Sequence, residues 1–277
     1  MKIFLILLLS STLSYGESLK IINFNTMCDL CKGSNYFDFD NRLNSLIETL
    51  KSHEADIMSL QELRSIGQAK TILKNFENYG LIVNTDSIIS FADPSIIYNK
   101  NKLKLIESGQ LWLTPSDSII PLGWKFSFPR QVIWGKFQFN GGEFIFLSSH
   151  FDNRIENLQG SVKLITEYFK NETLPIIFAG DTNITDDMPE YKAFREGGFS
   201  NIFDIKKSFT VKGEYLSDKD ICYLKKGKVF PACRVEHFFV KNVVNPKVNS
   251  FIIDARKSYN GLFNSDHRPV ITELEFN

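Results

Sequence analysis

The sequence predicts an α+β fold, and three observations carry the prediction. Short apolar runs of strand length end at polar residues along the chain, stretches with apolar residues at helical spacing lie between some of them, and one pair of runs reads as a hairpin. Leu174–Asn183 shows the pattern most sharply. Pro175 opens an apolar run, Ile176–Ala179, whose length and β-branched content suit a fully buried strand. Gly180 is read as its break. Asp181 and Asn183 then stand two residues apart and share a face if the extended conformation persists through Thr182. Taken alone, Gly180–Asn183 fits a turn equally well, because Gly, Asp and Asn all populate turns.

The chain opens on Met1–Gly16, which has the layout of a secretory signal: Lys2, the apolar core Ile3–Leu9, and small residues before Glu17. This stretch is too short to span a bilayer. A buried N-terminal strand or helix accounts less well for the polar break at Gly16-Glu17-Ser18. The reading is therefore a signal peptide, 1–16, followed by one exported domain, 17–277, in the periplasm or the medium. The whole chain carries 32 basic and 32 acidic residues. Loss of Lys2 leaves a charge near −1, which excludes a global polycation. Charge is nonetheless uneven: Lys206–Lys247 has ten basic residues against four acidic, and Glu17–Glu62 four against eight. A positive face beside an acidic pocket suits a polyanionic substrate handled with a metal ion, although on the counts alone an ordinary solvated lysine-rich loop is the better account.

An even number of cysteines in an exported chain favours disulfides. Of the three pairings open to Cys28, Cys31, Cys222 and Cys233, the local one, Cys222–Cys233 with Cys28–Cys31, is preferred over cross-links between the segments. A four-cysteine zinc site is disfavoured because the second pair lacks the tight spacing of zinc knuckles.

Taken in order, Leu19–Phe24 reads as a strand ending at Asn25. Asp40 is read as the cap of a helix bearing Leu43, Leu46, Ile47 and Leu50, with His53 as an interaction at its C-terminal end. Asp56–Leu60 is a buried-type strand running into Gln61-Glu62, and Gly67–Phe76 a second helix. Gly80–Val83, Ile88–Phe91 and Ser95–Tyr98 look like short antiparallel strands. Thr114–Arg130, with three prolines and Trp124, is a long ordered loop, a kind of segment that often carries function. Its alternation Trp124-Lys125-Phe126-Ser127-Phe128 fits half-buried strand or loop core. Gln131–Phe139 and Glu143–Ser149 form the hairpin around Asn140-Gly141-Gly142, delivering His150. A helix over Glu156–Phe169 leads to the Leu174 stretch. A short helix over Tyr191–Glu196 and strands at Val235–Val240 and Val270–Phe276 complete the chain. Asn25, Glu62, His150, Asp181 with Asn183, Glu236 and Asp266 with His267 thus all fall at or beside strand ends, and these are metal-ligand and acid–base residue types.

Phe24-Asn25, Leu60-Gln61-Glu62, Ser149-His150, Gly180-Asp181-Thr182-Asn183 and Ser265-Asp266-His267-Arg268-Pro269-Val270 resemble, in order, the motifs of the endonuclease/exonuclease/phosphatase superfamily, which includes deoxyribonuclease I and the bacterial sphingomyelinases. The resemblance implies two mixed β-sheets packed as a four-layer α/β/β/α sandwich, with the site at one end. It also implies divalent-metal-dependent hydrolysis of a phosphate ester. Glu62 is then the main metal ligand, with Asn25 and Asp266 nearby. Few, hard oxygen ligands suit Mg2+, with Mn2+ or Ca2+ as alternatives. Asp181 would orient or deprotonate the attacking water, Asn183 donate to a phosphate oxygen, and His150 contact the phosphate or assist the leaving group. His267 would be base or electrostatic partner, oriented by a carboxylate. The family supplies that carboxylate as Asp in an Arg-Ile-Asp-Tyr type strand; here Arg234-Val235-Glu236-His237 puts Glu236 in its place. The role of His237 stays open.

Asp93–Tyr98, Gly109–Pro115 and Gly123–Arg130 up to Ser149-His150-Phe151-Asp152-Asn153 resemble a mostly bacterial branch of the superfamily with varied substrates. Arg130 is there a candidate phosphate contact, or a surface ion-pair residue. The function expected is an exported nuclease acting on nucleic acid. The alternatives are a sphingomyelinase-like phospholipase C acting on a phospholipid head group, with Trp112, Trp124, Phe126 and Phe128 able to meet a membrane, or another phosphatase of the fold. A binding protein that has lost catalysis is disfavoured, because none of the principal positions holds an inert residue. No protein partner is inferred.

Overall fold

The computed structural model describes residues 17–31, 38–85, 91–115, 120–206, 208, 210–213, 224–225, 228–229, 235–258 and 261–276. In chain order the elements are β1 (Leu19–Asn25), α1 (Phe39–His53), β2 (Ile57–Gln61), α2 (Ile66–Leu73), β3 (Tyr79–Ile82), β4 (Ser95–Asn99), β5 (Lys104–Trp112), β6 (Gln131–Phe139), β7 (Gly142–His150) and α3 (Ile155–Tyr168). They continue as β8 (Ile176–Asp181), α4 (Pro189–Glu196), β9 (Ser200–Asn201), α5 (Ile202–Lys206), β10 (Thr210–Lys212), β11 (Leu224–Lys225), β12 (Lys228–Val229), β13 (Glu236–Lys241), β14 (Lys247–Asp254) and β15 (Val270–Glu275). Seven strands form one mixed sheet in the order β10-β14-β15-β1-β2-β4-β3, and six form another in the order β5-β6-β7-β8-β13-β9.

Strand alternation builds the layers. Ile21, Ile57 and Ile96 of the first sheet meet Phe137, Phe146 and Ile177 of the second in the central core. Their neighbours Ile22, Met58 and Ile97 face the other way, onto Leu46 and Leu50 of α1 and Ile72 of α2. On the second sheet Leu147 and Phe178 pack outward against Leu158 and Val162 of α3 and Phe194 of α4. The result is the four-layer α/β/β/α sandwich expected. Among the described residues no helix is long and apolar enough to cross a membrane.

The hairpin turns at Asn140 and Gly141, with φ of 50° and 80°, the left-handed pair that a two-residue turn between twisted strands requires. Several readings change. Gly180 does not break its strand: β8 runs on to Asp181, and a Cβ at position 180 would lie 2.4 Å from the Ser149 carbonyl oxygen, so glycine is what lets β7 and β8 approach. α1 starts at Phe39, after Asp38, so Asp40 is in its first turn and does not cap it. β5 and β14 lack a sequence signal. β5 has no buried residue, and the register of β14 shifts between Val248 and Ser250, which interrupts its alternation. Phe126 and Phe128 are 79% and 82% exposed, not half-buried. Cys28 and Cys31 form a disulfide, which removes them as zinc thiolates. The signal segment, residues 88–90 and the Cys222–Cys233 pairing lie outside the described residues.

His53 is no helix-end cap. It is buried, and its Nε2 lies 2.6 Å from Asp254 Oδ2, while Arg256 Nε donates to Asp254 Oδ1 at 2.8 Å. Burial raises the Asp254 carboxyl, but the bonds from Arg256 and His53 outweigh it and hold the group well below the ordinary carboxylate range. A depressed folded-state pKa gives stability that is present above the unfolded value, about 4, and lost as pH falls below it. Asp254→Asn should therefore destabilise by about 2–4 kcal/mol at pH 7, because it leaves buried partners unmatched. Urea unfolding at pH 7 and pH 3.5 checks this: the gap between wild type and variant should shrink at the lower pH.

Candidate active site

Three strands of the second sheet set the site's spacing. In the parallel pairing of β7 with β8, His150 is opposite Asp181, and in the antiparallel pairing of β8 with β13, Asp181 is opposite Glu236. The first sheet contributes Asn25 at the end of β1, beside Gln61 at the end of β2. Ser59 ties the sheets together behind this edge: its Oγ lies 2.6 Å from Ser148 Oγ and 3.0 Å from the Ala179 carbonyl oxygen, while within the first sheet Gln61 Nε2 donates to Asn23 Oδ1 at 3.0 Å.

Asn25 closes the gap. Its Nδ2 donates to Glu62 Oε1 and to Asp181 Oδ2, both at 2.9 Å, and its Oδ1 accepts from the Met27 N–H at 3.0 Å. The amide thus presents its amino group to the carboxylates. Asn25, expected near the metal, here braces Glu62 and Asp181 against each other. Glu62 follows β2 in the left-handed region, φ 64°, which is unfavourable for a non-glycine residue and turns its side chain out of the strand's path. Its Oε2 accepts from the Cys28 N–H at 2.6 Å.

His150 faces Asp93 and Arg130 through Nδ1, at 3.0 Å from Asp93 Oδ2 and 2.7 Å from Arg130 Nη1, while Nε2 lies 3.7 Å from Asp181 Oδ2. Asp93 also accepts from the Glu62 N–H at 3.0 Å and from Arg130 at 3.1 Å. Burial works to raise its carboxyl, but the His150 and Arg130 charges and the Glu62 N–H hold it below the ordinary value. Arg130 is therefore an ion-pair residue and a cavity residue at once, since it lines the site as well as binding Asp93.

His267 hydrogen-bonds Glu236 through Nδ1, which also lies 3.8 Å from Asp181 Oδ2. Burial opposes a charge on the ring, but Glu236, Asp181 and Asp266 together raise its pKa to about 10, so it is an imidazolium at neutral pH. The Ser265 hydroxyl donates to the Asn25 carbonyl at 2.7 Å and accepts from the His267 N–H at 3.1 Å, which locks this turn to β1. Asp266 is exposed beside it. Asn183 does not continue β8: with φ of 51° it turns back so that its N–H donates to Asp181 Oδ1 and its Nδ2 to the Phe151 carbonyl. His237, the residue left open, is buried with Nδ1 on Asn201 and Nε2 on the Ile184 carbonyl, away from this cluster.

Glu62, Arg130, His150, Asp181, Asn183 and His267 line one polar cavity of about 330 Å³. Asn25 and Glu236 stand behind it as braces, and Asp266 is outside its lining. The sequence reading missed Asp93, which joins Glu62, Arg130 and His150. It also missed Arg42, whose guanidinium donates to the carbonyls of Thr26 and Met27 at 2.6 and 2.7 Å and so holds the loop after β1. Two trios of potential metal ligands come close together among the described residues. Cys28, Cys31 and Glu62 are one, but the sulfurs are bonded to each other. Asp181, Glu236 and His267 are the other, and there the ring nitrogen is already held by Glu236. The hard oxygen donors left to a cation are the Glu62 carboxylate and the exposed Asp266. This donor chemistry fits a divalent ion of the Mg2+ kind, which keeps several waters and needs few protein ligands.

No family model and no curated protein matches the chain. Solved structures do. An endonuclease/exonuclease/phosphatase protein from Bacteroides vulgatus superposes with a TM-score of 0.76 at 23% identity, covering 94% of this chain and 99% of that one. A mannosyl-6-phosphatase from Bacteroides thetaiotaomicron gives 0.70 at 23% identity, over 93% and 100%. D. rerio TDP2 complexed with a single-strand DNA product gives 0.69 at 18% identity, over 93% and 99%. The chain has the fold of the endonuclease/exonuclease/phosphatase, deoxyribonuclease I-like superfamily.

Proposed function

We propose that this protein is an exported, Mg2+-dependent phosphodiesterase that hydrolyses nucleic acid. The observation that carries the reading is the gathering of Glu62, His150, Asp181, Asn183 and His267, from separate strand ends, onto one polar cavity. Glu62 and Asp266 would hold the cation, for which Mn2+ or Ca2+ are alternatives. When bound, such an ion neutralises charge on the phosphoryl oxygens.

The chain's own residues supply the rest. Asp181 is 1% exposed and fixed by Asn25 and the Asn183 N–H, so its carboxylate is placed to orient a water for in-line attack. His267, held as a cation between Glu236 and Asp181, stabilises the charge that builds on the phosphoryl group. His150, its Nδ1 fixed by Asp93 and Arg130, turns Nε2 toward Asp181 and is the candidate donor to the leaving oxygen. Arg130 and Arg154 both line the cavity and favour a polyanion, as does the basic Lys206–Lys247 stretch. Export is supported by the layout of Met1–Gly16 and by the Cys28–Cys31 disulfide.

A second reading, a sphingomyelinase-like phospholipase C, has one observation in its favour: Phe126 and Phe128 project from the proline-rich loop with most of their surface exposed. Incubating the purified protein with Mg2+ and plasmid DNA, RNA, sphingomyelin vesicles and mannose 6-phosphate separates the readings. Cleavage of DNA or RNA that stops with chelator and weakens steeply with salt is the expected result. Release of phosphocholine or of inorganic phosphate, with the nucleic acids intact, overturns it.

A further inference from the structure

Beside the polar cavity is a second one of about 620 Å³ and different character, which the reaction above leaves unused. Glu62, Phe128, Arg130 and His150 belong to both, so the two cavities adjoin and one molecule can extend from the first into the second. Its other walls are mainly apolar: the Cys28–Cys31 disulfide, Leu30, Pro129 and Phe91, whose ring is braced by Trp112 at 5.9 Å. Leu30 is 64% exposed and Phe128 82% exposed, large apolar side chains with no packing role in the core. Two guanidiniums and a carboxylate complete the lining: Arg130, paired with Asp93 at 3.1 Å, and Arg64, held by Asp29 at 3.1 Å from its Nε.

We propose that this cavity is a base-stacking subsite: it receives a planar heteroaromatic group of nucleobase size carried by the phosphate in the polar cavity. The proposal rests on the phosphodiesterase reading and narrows it. Aromatic faces accept any base through stacking, and arginine donors match the carbonyl and ring-nitrogen acceptors of its edge. A quaternary ammonium head group would meet two guanidiniums, and the two carboxylates of the lining are already engaged, Glu62 by Asn25 and the Cys28 N–H and Asp93 by Arg130 and His150. A bare sugar would leave the Phe and Leu surface unfilled. The volume is within the range of small-molecule sites and has room for a nucleoside.

Thymidine 5′-monophosphate and deoxyribose 5-phosphate differ only by the base, so the ratio of their affinities isolates the subsite. Calorimetric titration in Mg2+ should give the nucleotide about tenfold tighter binding, within what base–aromatic stacking contributes. The ratio should fall toward one in Leu30→Ser and in Phe128→Ala, both exposed positions whose folding is checked by thermal unfolding. Equal affinities in wild type, or a preference that survives both substitutions, overturns the proposal while leaving the phosphoesterase reading intact. Failure of both ligands to bind overturns that reading and the subsite with it. If the base makes no difference and sphingomyelin vesicles bind wild type but not Phe128→Ala, the apolar wall belongs to a lipid surface and the proposal also fails.

Discussion

Glu62→Gln should reduce turnover about 10²–10³-fold, the size of effect seen when one preorganised electrostatic group is lost from an active site. Both carboxylate oxygens of Glu62 are committed as acceptors, one to Asn25 Nδ2 and one to the Cys28 N–H. Glutamine keeps one acceptor and turns an amino group toward a donor, so the charge is lost and the side chain is pushed from its position. The positive φ of Glu62 and the Asp93 bond to its N–H are backbone features that the substitution leaves in place. The loss should therefore be one of metal binding more than of fold. A titration of rate against Mg2+ should show a requirement displaced to higher concentration, with thermal unfolding in chelator close to wild type. Near-normal turnover with an unchanged Mg2+ requirement would remove Glu62 from the site.

Much of this site was legible because buried strands are conspicuous. Ile176–Ala179 is apolar without interruption and Ile57–Leu60 is broken only by the small Ser59, so the residues where polarity returns, Asp181 and Gln61-Glu62, mark the edge of the core. What was not legible depended on contacts distant in sequence or on local backbone turns. Asp93 is in a short turn with no periodicity, and its partners Glu62, Arg130 and His150 are 31, 37 and 57 residues away. Arg42 is a charged residue on the buried face of α1, and its purpose appears only when the loop carbonyls of Thr26 and Met27 close over it. Asn25 is at the position expected, but its orientation follows from the Met27 N–H, and Met27 itself has a φ of 58° that no pattern of residue types announces. The same holds for His53: helix-end position pointed to a local cap, whereas its partner Asp254 is 201 residues on.

The pairing of His267 with Glu236 is the part of the site that differs from the family pattern, and it predicts a non-additive pair of substitutions. His267→Ala should lower turnover about 10²–10⁴-fold, as for a lost acid–base or charge-stabilising group. The ring is only partly buried, so folding should be little affected. Glu236→Ala should act in the same direction with a smaller effect. Asp181, at 3.8 Å, and the Ser265 bond to the His267 N–H still favour the charged ring in its place, but the one bond that fixes its tilt is gone. Glu236 is buried on β13, opposite Asp181, so the variant also needs thermal unfolding as a control. The double variant should then be hardly worse than His267→Ala alone, because a residue that works only through another contributes nothing once that other is removed. Turnover of both single variants and the double variant under one metal concentration tests the coupling. Losses that multiply would show that Glu236 acts independently of His267, and the glutamate would then have to serve the site through Asp181, its neighbour across the strand pair.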